Sequence, residues 1–157
     1  MSMLLEDCGY AALPGPFLFS SVLAASALAG GGSEDVNDRW LGPLAEGRAT
    51  GTVAIVEAND SINPADLSTT ARKSGSGWIL NGAKMFVPYA HKADFVIVLA
   101  RTGPGAHDIG LFLVEPNSSG VHIRRLNNLD MTRRFCAVEL DAVVVPAQAA
   151  LSGRQGL

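Results

Sequence analysis

This 157-residue chain is short of cysteine, of positive charge and of long apolar runs, and each shortage excludes something. Its two cysteines, Cys8 and Cys136, form no CxxC pair and have no histidine cluster beside them. That removes a zinc site and a disulfide framework. His91, His107 and His122 have no metal-ligand spacing, so no metal ligand is assigned. Both thiols are read as buried and reduced, and the chain as cytoplasmic. A net charge of −3 gives no basic footprint for nucleic acid. The longest apolar run, Phe17 to Ala29, is shorter than the about 20 residues of a membrane-spanning helix. Only Glu6 and Asp7 carry charge before it, whereas a secretory leader starts positive. It reads as a buried helix, with no membrane contact. Gly75 and Gly77 match neither a Walker nor a dinucleotide-binding loop.

Apolar residues make up 48% of the chain and charged ones 17%, the balance of a globular protein. The first third has helical spacing. Leu4, Leu5, Cys8, Ala11 and Ala12 recur on one face, and Pro14-Gly15-Pro16 stops that helix. A second helix runs from Phe17 to Ala29 and ends on Gly30-Gly31-Gly32. Ser33 is placed to cap a third, reaching about Glu46, with Glu34 and Asp35 in its first turn and Pro43 as a kink. After Gly51 the period changes to two. Strands are expected over 52–57, 67–73, 78–80, 84–87, 95–100, 109–115, 121–126 and 135–140, joined by Gly/Pro/Asn turns. Asn81-Gly82 between apolar runs reads as a type I′ hairpin turn. The fold class is α+β: N-terminal helices followed by an antiparallel β-barrel or sandwich.

One stretch carries more. Gly77-Trp78-Ile79-Leu80-Asn81-Gly82-Ala83-Lys84-Met85-Phe86-Val87-Pro88, then Ala93-Asp94 leading into a buried strand, resembles the middle β-domain of the acyl-CoA dehydrogenases. Further pieces fall in the same order. Glu6 through Phe17, with Pro14-Gly15-Pro16-Phe17, resembles the last helices of that family's N-terminal helical domain. Trp40 to Gly47 resembles its approach to the first strand, and Ala54-Ile55-Val56-Glu57 falls on its flavin-contacting strand. Asp130 to Arg134 and Val138 to Asp141 resemble the late strand running into Val145-Pro146-Ala147. The resemblance divides the chain into 1–50, a remnant of the helical domain; 51–147, the middle β-domain; and 148–157, a linker toward a C-terminal helical domain that is absent.

The resemblance implies flavin-linked α,β-dehydrogenation of an acyl-CoA thioester: a carboxylate base takes the α proton and the β hydride goes to FAD. The cofactor does the redox chemistry while the protein positions and tunes it. The family's base lies in the C-terminal domain, so no catalytic residue is assigned here and the chain alone is expected to be inactive. The cofactor-facing positions that the resemblance implies are Val56, Glu57, Phe86, Val87, Pro88 and Ser61. Two depart from the family pattern. Val56 stands where many members carry Thr, and Phe86-Val87-Pro88 stands where they carry Trp-Ile-Thr or Trp-Ile-Ser. Both changes remove a hydroxyl, and Pro88 also lacks an N–H. FAD binding by this chain is therefore open, and so is a second reading: a non-catalytic, flavin-free subunit of a homo- or hetero-oligomer with an active homologue. A β-module for some other ligand is a third. Trp78 is expected to be structural, Lys84 and Asp94 to be solvated or paired at a sheet edge, and Arg124-Arg125 and Arg133-Arg134 to be exposed. The acyl class, whether simple, branched or a sterol side chain, stays open.

Overall fold

The computed structural model describes residues 2–61, 63–105, 107–130 and 132–151. Helix α1 spans Ser2–Tyr10 and buries no residue. A second helix is π-type over Leu18–Ala24 and continues as α2, Ala25–Gly31. It buries a single stripe, Ser20, Ala24, Leu28 and Gly31, because its small residues face the sheet while Leu18 and Leu23 stay exposed. Helix α3, Glu34–Ala45, starts where expected: the Ser33 hydroxyl accepts the N–H of Val36, and Pro43 lies inside it.

Eight strands follow: β1 Gly51–Ala54, β2 Thr70–Ser74, β3 Gly77–Pro88, β4 Phe95–Arg101, β5 Ile109–Val114, β6 Val121–Arg125, β7 Phe135–Pro146 and β8 Ala150–Leu151. β4 is the centre of the core, with Phe95, Val96, Ile97, Val98 and Ala100 all fully buried. Burying one such side chain contributes about 1.5–3 kcal/mol. The second helix and α3 dock where β4 and its parallel neighbour β1 begin. Trp40 packs on Phe95 at 4.7 Å between ring centroids, and the Gly51 N–H donates to Ser20 Oγ at 3.0 Å.

Two expectations are corrected. The sheet is open, not a barrel. Its order is β6-β7-β3-β2-β4-β5-β8, with β1 paired to β4 off that path. Closure needs the end strands to pair, but among the described residues β8 offers two, and β6 is a short edge carrying exposed Arg124 and Arg125. The pairing is also mixed, since β1 and β2 both run parallel to β4. Second, Asn81-Gly82 is not a turn. It lies inside the 12-residue β3, and the hairpin turns instead at Gly75, between Ser74 and Gly77. Gly82 has φ +143, and a Cβ there would stand 2.6 Å from Thr69 Cα. The Asn81 side chain accepts the N–H of Ala142, a residue at φ 50 where β7 carries one extra residue against β3. The Asn-Gly pair thus serves a bulge and a close backbone approach.

Of the tail expected as a linker, residues 152–157 lie outside the described residues. Ala147–Ala149 form a single turn, and β8 pairs with β5.

Candidate functional site

β1 and β2 follow one another along the gap between β3 and β4. β2 pairs with the first half of β3, Gly77 to Asn81. β1 then runs beside the second half with no ladder of its own to it. Two bonds mark the alignment: Thr52 Oγ1 donates to Pro88 O at 2.6 Å, and the Met85 N–H donates to Val56 O at 2.8 Å. The structure therefore brings Val56 and Glu57 together with Phe86, Val87 and Pro88. Ser61 lies farther out in the loop after Glu57, where its hydroxyl donates to Asp66 Oδ2 at 2.7 Å.

Side-chain direction sorts these residues. Lys84 and Val87 both point into the core, at 0% and 1% exposure. Three positions separate them, an odd number, so one residue must be extra for both to share a face. That residue is Phe86, at φ 54, where the β3–β7 register slips. A left-handed conformation in a bulky residue is strained. It turns the Phe86 ring outward, 51% exposed, with its edge toward Phe135 at 6.4 Å. Ile55 is 46% exposed on the neighbouring strand exit. Val87 faces the core, so only its main chain reaches this wall.

Glu57 and Lys84 are buried behind the wall. Lys84 Nζ donates to Glu57 Oε1 at 2.9 Å and to Ile55 O at 3.1 Å. Glu57 also accepts the N–H groups of Ser68 (2.7 Å) and Thr69 (2.9 Å), and the Ser68 hydroxyl. Burial alone would raise the Glu57 pKa; the donors from Ser68, Thr69 and Lys84 outweigh it and hold the carboxyl at about 2. Burial lowers the Lys84 pKa, and the Glu57 carboxylate works against that shift. Lys84 is thus paired, as one of the two expected alternatives had it, but in the core; its placement in solvent or at a sheet edge is corrected. Its even spacing from Leu80, fully buried four residues earlier, was the available signal for an inward position. Asp94 is paired as expected: it accepts the Thr50 N–H at 2.8 Å and its own N–H donates to Thr50 O, which fixes the start of β1 beside β4. Trp78 packs edge-on against Phe112.

Two residues emerge from the structure alone. Tyr89, just past β3 and at φ 53, donates its hydroxyl to Thr132 O and accepts the Gly15 N–H. It stands at a cleft of about 360 Å³ between the helical segment and Asp130, Thr132 and Arg133, walled by Leu5, Leu13, Phe17 and Phe19. Arg101 donates to the carbonyls of Pro64, Ala65, Leu67 and Gly105, and so holds the loop beyond Ser61. Neither position carries a local sequence signal, because Tyr89 and three of the four Arg101 contacts reach backbone far along the chain. Among the described residues no three His, Cys, Asp or Glu side chains gather as a metal site, and no helix is long and apolar enough to cross a membrane.

Residues 52–143 match the family described as acyl-CoA dehydrogenase, middle domain. The chain is 31% identical over 153 residues to the mitochondrial long-chain specific acyl-CoA dehydrogenase of Mus musculus, covering 93% of this chain and 36% of that protein. It is 32% identical over 134 residues to acyl-CoA dehydrogenase FadE12 of Mycobacterium tuberculosis, covering 83% and 34%. Among solved structures it resembles a glutaryl-CoA dehydrogenase from Mycobacterium smegmatis in complex with FADH2 (TM-score 0.77, 34% identity, 85% of this chain and 34% of that one). It also resembles the ChsE4-ChsE5 complex of Mycobacterium tuberculosis (TM-score 0.81, 29% identity, 94% and 38%). The chain spans about a third of the length of these curated relatives. With the middle-domain match covering more than half of its residues, the chain belongs to the acyl-CoA dehydrogenase family.

Proposed function

We propose that this chain forms the flavin-side wall of an FAD-dependent acyl-CoA-dehydrogenating protein. The observation that carries the reading is the strained, outward-facing Phe86 beside the exposed Ile55, at the place where β1 leaves the sheet. A bulky residue stays at positive φ only where the surrounding structure holds it there, and such strain concentrates at functional sites. The wall fits the face of an isoalloxazine ring: Phe86 and Ile55 offer apolar contact, and the main chain of Val56, Glu57 and Val87 lies beside them. It fits the ring's polar edge less well. Val56 has no hydroxyl, Pro88 is buried with its carbonyl taken by Thr52 and does not present its ring on the wall, and the Ser61 hydroxyl is taken by Asp66. When bound, FAD supplies the electron acceptor for oxidising an acyl-CoA thioester. The chain's own residues pack and orient it. The cleft beside Tyr89, apolar along Leu5, Leu13, Phe17 and Phe19 and polar at Asp130, Thr132 and Arg133, suits an acyl chain along its apolar side. The two unpaired cysteines suit the reducing cytoplasm.

The same polar deficit favours a second reading, a flavin-free subunit that assembles with an active homologue. ChsE4-ChsE5, a relative in fold and sequence, is a complex of two components. FAD binding by the parent chain separates the two readings; Val56→Thr combined with Pro88→Thr tests the mapping that both share. If these positions meet the flavin edge, the variant gains two hydrogen bonds of about 0.5–1.5 kcal/mol each. FAD affinity, followed by flavin fluorescence quenching, then rises about tenfold. Unchanged affinity in the double variant contradicts the mapping of these residues onto the flavin.

A further inference from the structure

The buried charges of this chain lie where its sheet has no ladder. The exit of β1 meets β3 through a single main-chain bond near the wall, Met85 N–H to Val56 O. At that point Lys84 reaches across from β3 to the Ile55 carbonyl and to Glu57. Glu57 in turn holds the Ser68 and Thr69 N–H groups, immediately before β2. Two side chains therefore tie three strands together where one replaces another.

We infer that Lys84 and Glu57 are positioning residues: their pair sets the alignment of the β1 exit against the β3 bulge, and thereby places Ile55, Val56 and Phe86 on the wall. Its consequence for a cofactor rests on the flavin-wall reading; the alignment itself does not.

The geometry favours placement over bulk stability. Apolar residues of similar volume often replace a buried ion pair with little loss of stability. They cannot reproduce directed bonds. Position 84 faces the Ile55 carbonyl, and position 57 faces the donors of Ser68 and Thr69, so the polarity of the pair is dictated by the backbone around it. Phe86 holds its strained φ between Val87, anchored in the core, and Lys84, anchored by the pair. Removing the second anchor lets the bulge relax.

Residue-resolved amide exchange of the 157-residue chain tests this, with Lys84→Met, Glu57→Gln and the combination of both. In Lys84→Met the Met85, Ser68 and Thr69 amides are expected to exchange about tenfold faster or more, while Ile97 and Val98 on β4 keep their protection. Glu57→Gln, which retains an acceptor, is expected to show the same pattern more weakly. A uniform change at all amides, or an unchanged Met85, overturns the inference. If both Lys84 variants fail to fold, Glu57→Gln decides by the same criterion. FAD titration is the second arm: where the parent binds, Lys84→Met shifts the bound flavin spectrum. A parent that binds no FAD defeats the flavin-wall reading and leaves the exchange result to decide the pair's role.

Discussion

Glu57 makes the stability of this chain acid-sensitive in a defined window. Its carboxyl has an ordinary value of 4.5 and is held at about 2 in the fold by Ser68, Thr69 and Lys84, against the effect of burial. A carboxyl whose folded value is depressed contributes stability that is fully present above its unfolded value and lost as pH falls toward the folded one. At about 1.4 kcal/mol per factor of ten in proton affinity, the contribution is roughly 3 kcal/mol. That is a large part of the about 5–15 kcal/mol by which a domain is stable. The window runs from about pH 4.5 down to about 2. Glu57→Gln keeps one acceptor oxygen, enough for either the Ser68 or the Thr69 N–H because these bond to different carboxylate oxygens, and it cannot titrate; it is less stable at pH 7 but flatter with pH. Urea unfolding followed by tryptophan fluorescence, at pH 7, 4 and 3, should show the parent losing stability more steeply than Glu57→Gln. Asp130, also lowered by its hydrogen bonds to Thr132, is present in both proteins and cancels. Identical pH slopes would refute the account of Glu57 as a buried, donor-saturated carboxylate.

Two further outcomes follow from the same geometry. Gly82→Ala forces a Cβ to 2.6 Å from Thr69 Cα at φ +143, and should cost about 1–3 kcal/mol, read as a lower urea midpoint. The chain alone should give background rates in a dye-reduction assay with acyl-CoAs, because Glu57, buried behind the wall, is held ionised by four donor groups and is too weak a base; turnover abolished by Glu57→Gln would contradict this.

The order of elements was legible in the sequence because local signals are strong here. The Ser33 cap, the Pro14-Gly15-Pro16 stop and the switch to period two each act within a few residues. The family-like run from Gly77 to Pro88 also brought Val56 and Phe86 toward one site. What the sequence concealed is set by distant partners. Asn81-Gly82 resembles a hairpin turn until Ala142 and Thr69 approach it. Lys84 resembles an edge charge until Glu57 folds beneath it. Strand closure was illegible for a related reason: alternation marks which face is buried, but not whether the end strands meet.

The most direct measurement maps FAD onto the chain by amide chemical shifts. Titrating FAD into the isotope-labelled protein should move the resonances of Val56, Glu57, Phe86 and Val87, leave Arg124 and Arg125 on β6 and Val36 on α3 in place, and lose the effect in Phe86→Ala. No shift at saturating FAD, or shifts centred away from the β1 exit and the β3 bulge, would contradict the flavin-wall assignment.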